Sequence, residues 1–286
     1  MANLKEIRNR IASVSSTMQI TSAMKMVSAA KLKKAQDAIT AMRPYSDKLT
    51  ELLQSLSANL DGEGGSQYSQ VREVENVLIV PISSNRGLCG AFNTNIIKQS
   101  ASLLQQEYGN CQVHFMTIGK KAHDILAKQY SIISDHSKVF DNLTFEEVEI
   151  LAEDLMYKFA QGQYDRIVLV YNKFKNAATQ IVMTEQFLPI APAEEADNDQ
   201  SDYIFEPSEQ QIVEQLIPKS LKTQLYKAVR DSFASEHGAR MTAMHKATDN
   251  AGELKEQLTL TYNKARQAAI TNEILEIVGG AEALND

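Results

Sequence analysis

The segment SSNRGLCGAFN, residues 83–93, is where residue types and spacing come nearest to a reactive site. It follows the apolar run VLIVPI at 77–82 and opens a helix-like stretch, the position at which open α/β sheets bind ligands. Cys89 stands near the start of that stretch, where a helix amino terminus favours the thiolate and makes a nucleophile conceivable. A cysteine nucleophile also needs a base, and none of His114, His123, His136, His237 and His245 carries a recognisable local signature. Gly87 and Gly90 are spaced GxxG, whereas a dinucleotide site calls for GxGxxG, and no GxxxxGKS or GxxxxGKT phosphate loop occurs. A tight strand-to-helix turn that needs glycine freedom, holding a small buried thiol, explains the same residues more simply.

The remaining candidates are weaker. His237 and His245 lie eight apart on one helical stretch, but no HExxH surrounds them. Cys89 and Cys111 make neither a CxxC nor a disulfide framework, so the sequence implies no metal and no cofactor. Met18, Met24, Met26, Met241 and Met244 read as adaptable packing, and Lys31, Lys33 and Lys34 as a solvated face. No active site assembles from these parts. A role in catalysis would have to run through partners.

The elements that would position such residues are of two kinds. Residues 3–59 contain no glycine and one proline, Pro44, where a kink is expected; Ile7, Ile11, Val14, Met18, Thr21, Met24 and Ser28 recur at helical spacing. From 219 to 278 a second pattern runs through Leu221, Leu225, Val229, Phe233, Met241, Met244, Thr248, Ala251, Leu254 and Leu258. Pro218 sits where a helix could restart, and Gly279–Gly280 where one should stop. Each helix would be roughly 85 Å long, whereas a globule of this chain length is roughly 50 Å across. Two such helices must project, and winding together antiparallel buries their stripes, with residues near 20–30 expected beside residues near 255–265. Between them, apolar runs at 77–83, 112–119 and 166–171 alternate with helical stretches at about 93–108, 120–129 and 144–161. A weaker strand near 131–134 and a last one at 179–188 complete a mostly parallel sheet. The expected divisions are an N-terminal helix at 1–60, a linker at 61–72 and an α/β domain at 73–190. An acidic connection at 191–207 and a C-terminal helix at 208–286 follow.

Charge and composition narrow the function classes. The 286 residues carry a formal net charge of −7, are 43% hydrophobic and contain no run long enough to span a membrane. The first sixty residues hold 9 Lys/Arg against 4 Asp/Glu, yet Tyr45 is their only aromatic, so stacking on nucleic-acid bases is poorly provided for. Residues 190–218 hold 8 acidic residues and no basic one, and their stretch APAEEADNDQSD reads as a solvated connection. The start, MANLKEIRNRI, lacks the apolar region of a secretory signal.

Two long blocks go beyond pattern. IRNRIASVSSTMQITSAMKMVSAAKLKKAQ at 7–36 and ASEHGARMTAMHKATDNAGELKEQLTLTYNKARQAAITNEILEIVGGAEAL at 234–284 closely resemble the two ends of the ATP synthase gamma subunit family, and SSNRGLCGAFN resembles its central turn. The resemblance implies an antiparallel coiled coil of the N- and C-terminal helices with a central Rossmann-like α/β domain. It implies a non-catalytic rotor shaft, without cofactor, metal or small-molecule substrate of its own and without a role at nucleic acid. Its partners would be the alpha and beta subunits of the catalytic ring, the epsilon subunit and the c-subunit ring. It would work as a peripheral part of a membrane complex on the cytoplasmic face of the plasma membrane. By matching position, Met24, Arg266, Gln267 and Thr271, with Glu236 and Arg240, would contact the catalytic ring. Tyr203, Phe205 and Glu206 would face the c ring. The competing readings are a Cys89 enzyme with a coiled-coil arm and a nucleic-acid adaptor using the basic arm.

Overall fold

The structure is a computed structural model that describes residues 4–59, 67–190 and 209–282. In order, the chain forms α1 (Leu4–Asn59), β1 (Asn76–Pro81), α2 (Phe92–Gln106), β2 (Gln112–Thr117), α3 (Lys120–Leu126) and β3 (Ile132–Asp135). A short 3-10 turn at Ser137–Phe140 precedes α4 (Phe145–Ala160), β4 (Arg166–Phe174), β5 (Gln180–Leu188) and α5 (Glu209–Glu282). These elements fall into two compact units: residues 29–240, and the stretches 1–28 and 241–286.

In the first unit the strands form one sheet in the order β3-β2-β1-β4-β5. The β1, β2, β3 and β4 pairings are parallel, while β5 returns antiparallel to β4. That reversal follows from a short connection in which the Asn176 side chain accepts hydrogen bonds from the Ala178 and Thr179 amides at 3.0 and 2.7 Å. The near-continuous apolar strands are explained by burial on both faces. Leu78, Val80, Ile167 and Leu169 pack on one side with Val148, Leu151, Leu155 and Phe159 of α4. Val77, Ile79, Val168 and Val170 pack on the other with Ile96 and Leu103 of α2 and Leu126 of α3. At ~1.5–3 kcal/mol for each large apolar side chain taken out of water, these two layers supply most of what holds the unit together.

The layer on the α4 side has a second contributor. Ile217, Leu221, Leu225, Ala228 and Val229 of α5 are buried in that core, so the carboxy-terminal helix is part of the α/β fold as well as a separate element in sequence. This changes the expected helix boundaries. α5 runs through Pro218 rather than restarting there, and through Gly279 and Gly280 rather than stopping. Ile217 and Leu221, anchored on either side of the proline, hold the backbone helical where local propensity would break it. α1 likewise remains helical through Pro44.

In the second unit the two helical stretches run antiparallel. The Thr21 hydroxyl meets that of Thr248 at 2.8 Å, and the Lys25 ammonium lies 3.5 Å from Nδ1 of His245. Residues 21–25 therefore face 245–248, about four helical turns from the 255–265 expected. Both threonines also bond back to their own helices, Thr21 to the Met18 carbonyl and Thr248 to that of Met244.

Candidate functional site

In an open parallel sheet a ligand usually sits beyond the carboxyl ends of the strands where the strand order reverses. Here that point lies between β1 and β4, because α2 covers one face and α4 the other. The crevice is filled by α5. Ser232 donates to the Ile82 carbonyl at 3.3 Å and Ser235 to the Asn172 carbonyl at 2.9 Å, both serines being fully buried. Asn172 in turn donates to the Phe92 carbonyl at 3.3 Å, tying β4 to the start of α2. Gly238 lets the helix come close: a Cβ there would stand 3.2 Å from the Ala177 Cα.

One helical turn further on, the SSNRGLCGAFN segment is fastened to the same helix. Arg240 donates to the carbonyls of Arg86 and Gly87 at 3.1 and 3.2 Å and to the Glu236 carboxylate at 2.5 Å. Both charged side chains are about nine-tenths buried. Within the turn, Asn93 accepts from the Ser84 amide at 2.9 Å and donates to the Ser84 hydroxyl at 2.8 Å and to the Cys89 sulfur at 3.2 Å. Leu88 and Gly90 take positive φ, 63° and 61°, and the Leu88 side chain is exposed. Ser83 anchors the base of the turn, donating to the Gly119 carbonyl at 3.1 Å and accepting from the Ala122 amide at 2.9 Å.

This arrangement is poor at chemistry. Cys89 is buried, and burial pushes its thiol pKa up, the reverse of what a nucleophile needs. Burial likewise holds the Glu236 carboxyl above the usual range, against the pull of Arg240. Next along α5, His237 packs against the Phe233 ring at 4.5 Å, with neither ring nitrogen hydrogen-bonded. Burial, then Arg240 and Lys31, lower its pKa to about 3, so it is neutral and silent as a base at ordinary pH. Among the described residues no group of three His, Cys, Asp or Glu could hold a metal ion. A shallow 360 Å³ recess beside Tyr68, Met156 and Lys222 holds no reactive pair; the Lys222 ammonium is spent on Glu149 and Glu153 at 2.6 Å each.

The residues singled out from sequence are thus dispersed. Glu236 and Arg240 turn inward onto the 83–93 turn, leaving little side-chain surface to offer a partner. Met24 is half-buried in the helical pair, while Arg266, Gln267 and Thr271 are exposed. Tyr203, Phe205 and Glu206 lie outside the described residues, as does the DGEGG run at 61–65. The register explains the exposure around Thr271: with Thr21 opposite Thr248, Leu4 falls level with residue 265, and beyond it α5 continues to Glu282 with no opposing helix among the described residues. Ile270, Ile274, Leu275, Ile277 and Val278 lie open on that single helix. Sequence reasoning missed Ser232, Ser235, Asn172 and Asn93. The five small residues Ser232, Ala234, Ser235, Gly238 and Ala239 within eight positions of one helix were the available sign of close packing.

The chain matches the family model described as ATP synthase over residues 3–284. It is 70% identical over 286 residues to the ATP synthase gamma chain of Flavobacterium johnsoniae, covering all of both chains. It is 52% identical to that of Cytophaga hutchinsonii over 295 aligned residues, again covering all of both chains. Among solved structures it resembles a chain of the Euglena gracilis mitochondrial ATP synthase OSCP/F1/c-ring assembly. There the TM-score is 0.73 at 25% identity, covering 98% of this chain and 94% of that one. A chain of the rotor of the same enzyme matches in fold, with TM-score 0.68 at 23% identity, over 93% and 98% of the two.

Proposed function

The chain belongs to the ATP synthase gamma chain family, and on that premise we propose that it is the central rotor shaft through which ion-driven rotation reaches the catalytic subunits. It is a subunit of the ATP synthase complex and forms part of its central stalk. The observation that carries the rotary reading is the unpaired end of α5. A lone helix exposing Ile270, Ile274, Leu275, Ile277 and Val278 gains nothing by remaining in water, and an apolar sleeve of other subunits is the setting that stabilises it. The sleeve is the ring of alpha and beta subunits.

Turning within that ring, the helical pair presents a different face to each beta subunit in succession. Each face stabilises one conformation of its neighbour, so nucleotide affinities change in sequence without chemistry on this chain. Sliding favours small and apolar contacts, with Met24 on that surface and Arg266, Gln267 and Thr271 as sparse polar catches. Glu236 and Arg240 serve the ring indirectly, by fixing the turn at 83–93. The foot, with Tyr203, Phe205 and Glu206, rests on the c ring beside the epsilon subunit, at the cytoplasmic face of the plasma membrane. No described helix is long and apolar enough to cross that membrane itself. In domain terms, 1–60 and 208–286 supply the shaft, 61–72 links it to the α/β domain at 73–190, and 191–207 carries the foot contacts.

The test is reconstitution of the alpha and beta subunits with and without this chain, with a bead fixed on the α/β domain. ATP should drive unidirectional rotation of the bead, and the isolated chain should hydrolyse no ATP. Hydrolysis by the chain alone, or full cooperative turnover of the ring without it, would overturn the reading.

A further inference from the structure

His237 has no part in the shaft contacts above, yet it is the described residue with two buried, unpartnered side-chain nitrogens. Its surroundings are apolar and cationic. The Phe233 ring stands perpendicular to it and itself stacks on Phe140 of the 3-10 turn at 6.3 Å. The charged groups on the elements that meet here include Lys31 on α1, Arg86 in the turn, and the buried Asp231, Glu236 and Arg240 on α5. Asp135, His136, Lys138 and Asp141 flank Phe140. The two that act on the imidazole, Arg240 and Lys31, are both positive, and the Glu236 carboxylate is engaged by Arg240.

We propose that His237 is a proton-operated release for the latch between α5 and the 83–93 turn. A neutral imidazole fills the site as an apolar ring does. An imidazolium would be buried without an acceptor beside two cations, so the proton is taken up only when this part of α5 lifts from its seat. Lifting pulls Arg240 from the Arg86 and Gly87 carbonyls and uncovers Cys89, which is 1% exposed in the closed form. With the closed-form value held at about 3 and the open-form value near the ordinary 6.5, acid favours opening throughout the interval between them. From pH 7 to pH 5 the open fraction should rise about 25-fold.

Cys89 supplies the readout in the full chain. Its labelling by an aromatic disulfide, divided by the rate for a cysteine peptide at the same pH, measures the open fraction; peptide mass spectrometry separates it from Cys111. The expected result is a rise of about 25-fold for Cys89 between pH 7 and pH 5, a much smaller rise for Cys111, and a nearly flat Cys89 profile in His237→Gln. His136, also lowered by burial, is held constant in that comparison. Parallel rises at both cysteines would mean global unfolding and overturn the proposal, as would parallel profiles in parent and variant. Should His237→Gln fail to fold, the parent decides alone. Imidazole carbon shifts showing His237 protonated near pH 6.5 with Cys89 still protected would refute it.

Discussion

Replacing Arg240 by alanine removes three hydrogen bonds at once and strands their acceptors. The Glu236 carboxylate, 8% exposed, loses its counter-ion, and the Arg86 and Gly87 carbonyls lose their donor. Removing one partner of a buried pair costs about 3–5 kcal/mol, chiefly through the charge left behind. The carboxylate has an escape, because burial already raises its pKa and loss of the cation raises it further. A folded-state carboxyl above its unfolded value binds more protons folded than unfolded, so acid stabilises the variant relative to the parent. The cost should therefore be about 3–5 kcal/mol at pH 7.5 and shrink steadily toward pH 5. Adding Glu236→Gln should return part of it at pH 7.5, since a neutral amide is cheaper to bury than a lone carboxylate. Urea unfolding of the full chain followed by circular dichroism, at unchanged slope, measures each quantity. A cost under ~1 kcal/mol, or one independent of pH, would mean that the latch carries little of the junction's stability.

The glycines in and beside the turn should separate by cause. Gly119→Ala would place a Cβ 2.2 Å from the Ser83 carbonyl oxygen and should prevent normal folding. Gly90→Ala meets open space and should cost about 1 kcal/mol for its positive φ alone, and Gly87→Ala should be near neutral; thermal melts rank the three. Cys89→Ser should keep assembly and coupling nearly intact, because the small side chain retains Asn93 as donor; a severe loss of ATP-driven pumping would revive a chemical role for the thiol. Met24→Lys should leave ATP hydrolysis largely in place while lowering proton pumping per ATP in vesicles. An ammonium that binds the ring at some angles and must detach at others deepens one state of the cycle, and ~1.4 kcal/mol slows a step about tenfold. An unchanged pumping ratio would remove Met24 from the transmitting surface.

The sheet was legible because strands buried on both faces write themselves as unbroken apolar runs, and the two long helices because their stripes keep one period for tens of residues. The same regularity hid the register. A stripe that repeats every turn matches its partner equally well after a slide of four turns, and Thr21 meeting Thr248, with Lys25 beside His245, selects one alignment. Local stop signals misled for a related reason. Pro218 and the glycines at 279 and 280 each disfavour helix by a few kcal/mol at most, which buried neighbours at 217 and 221 override at the proline. In the candidate site, Glu236 and Arg240 were reached through the family resemblance, as contacts to the catalytic ring. Their target in the turn left no sign, because the carbonyls of residues 86 and 87 are offered by backbone, which sequence does not label. His237 was visible only as a histidine on a helix; that no acceptor reaches it depends on elements two hundred residues apart in the chain.

The serines and arginine of α5 occupy the crevice as a tethered ligand would. A free ligand is lost on dilution, whereas a tethered one is present at an effective concentration of millimolar or more in every molecule. Any nucleotide or metabolite entering this crevice would have to compete with that permanent occupant while supplying partners for Ile82, Arg86, Gly87 and Asn172. A ligand binding there would first have to displace α5 from those four backbone carbonyls.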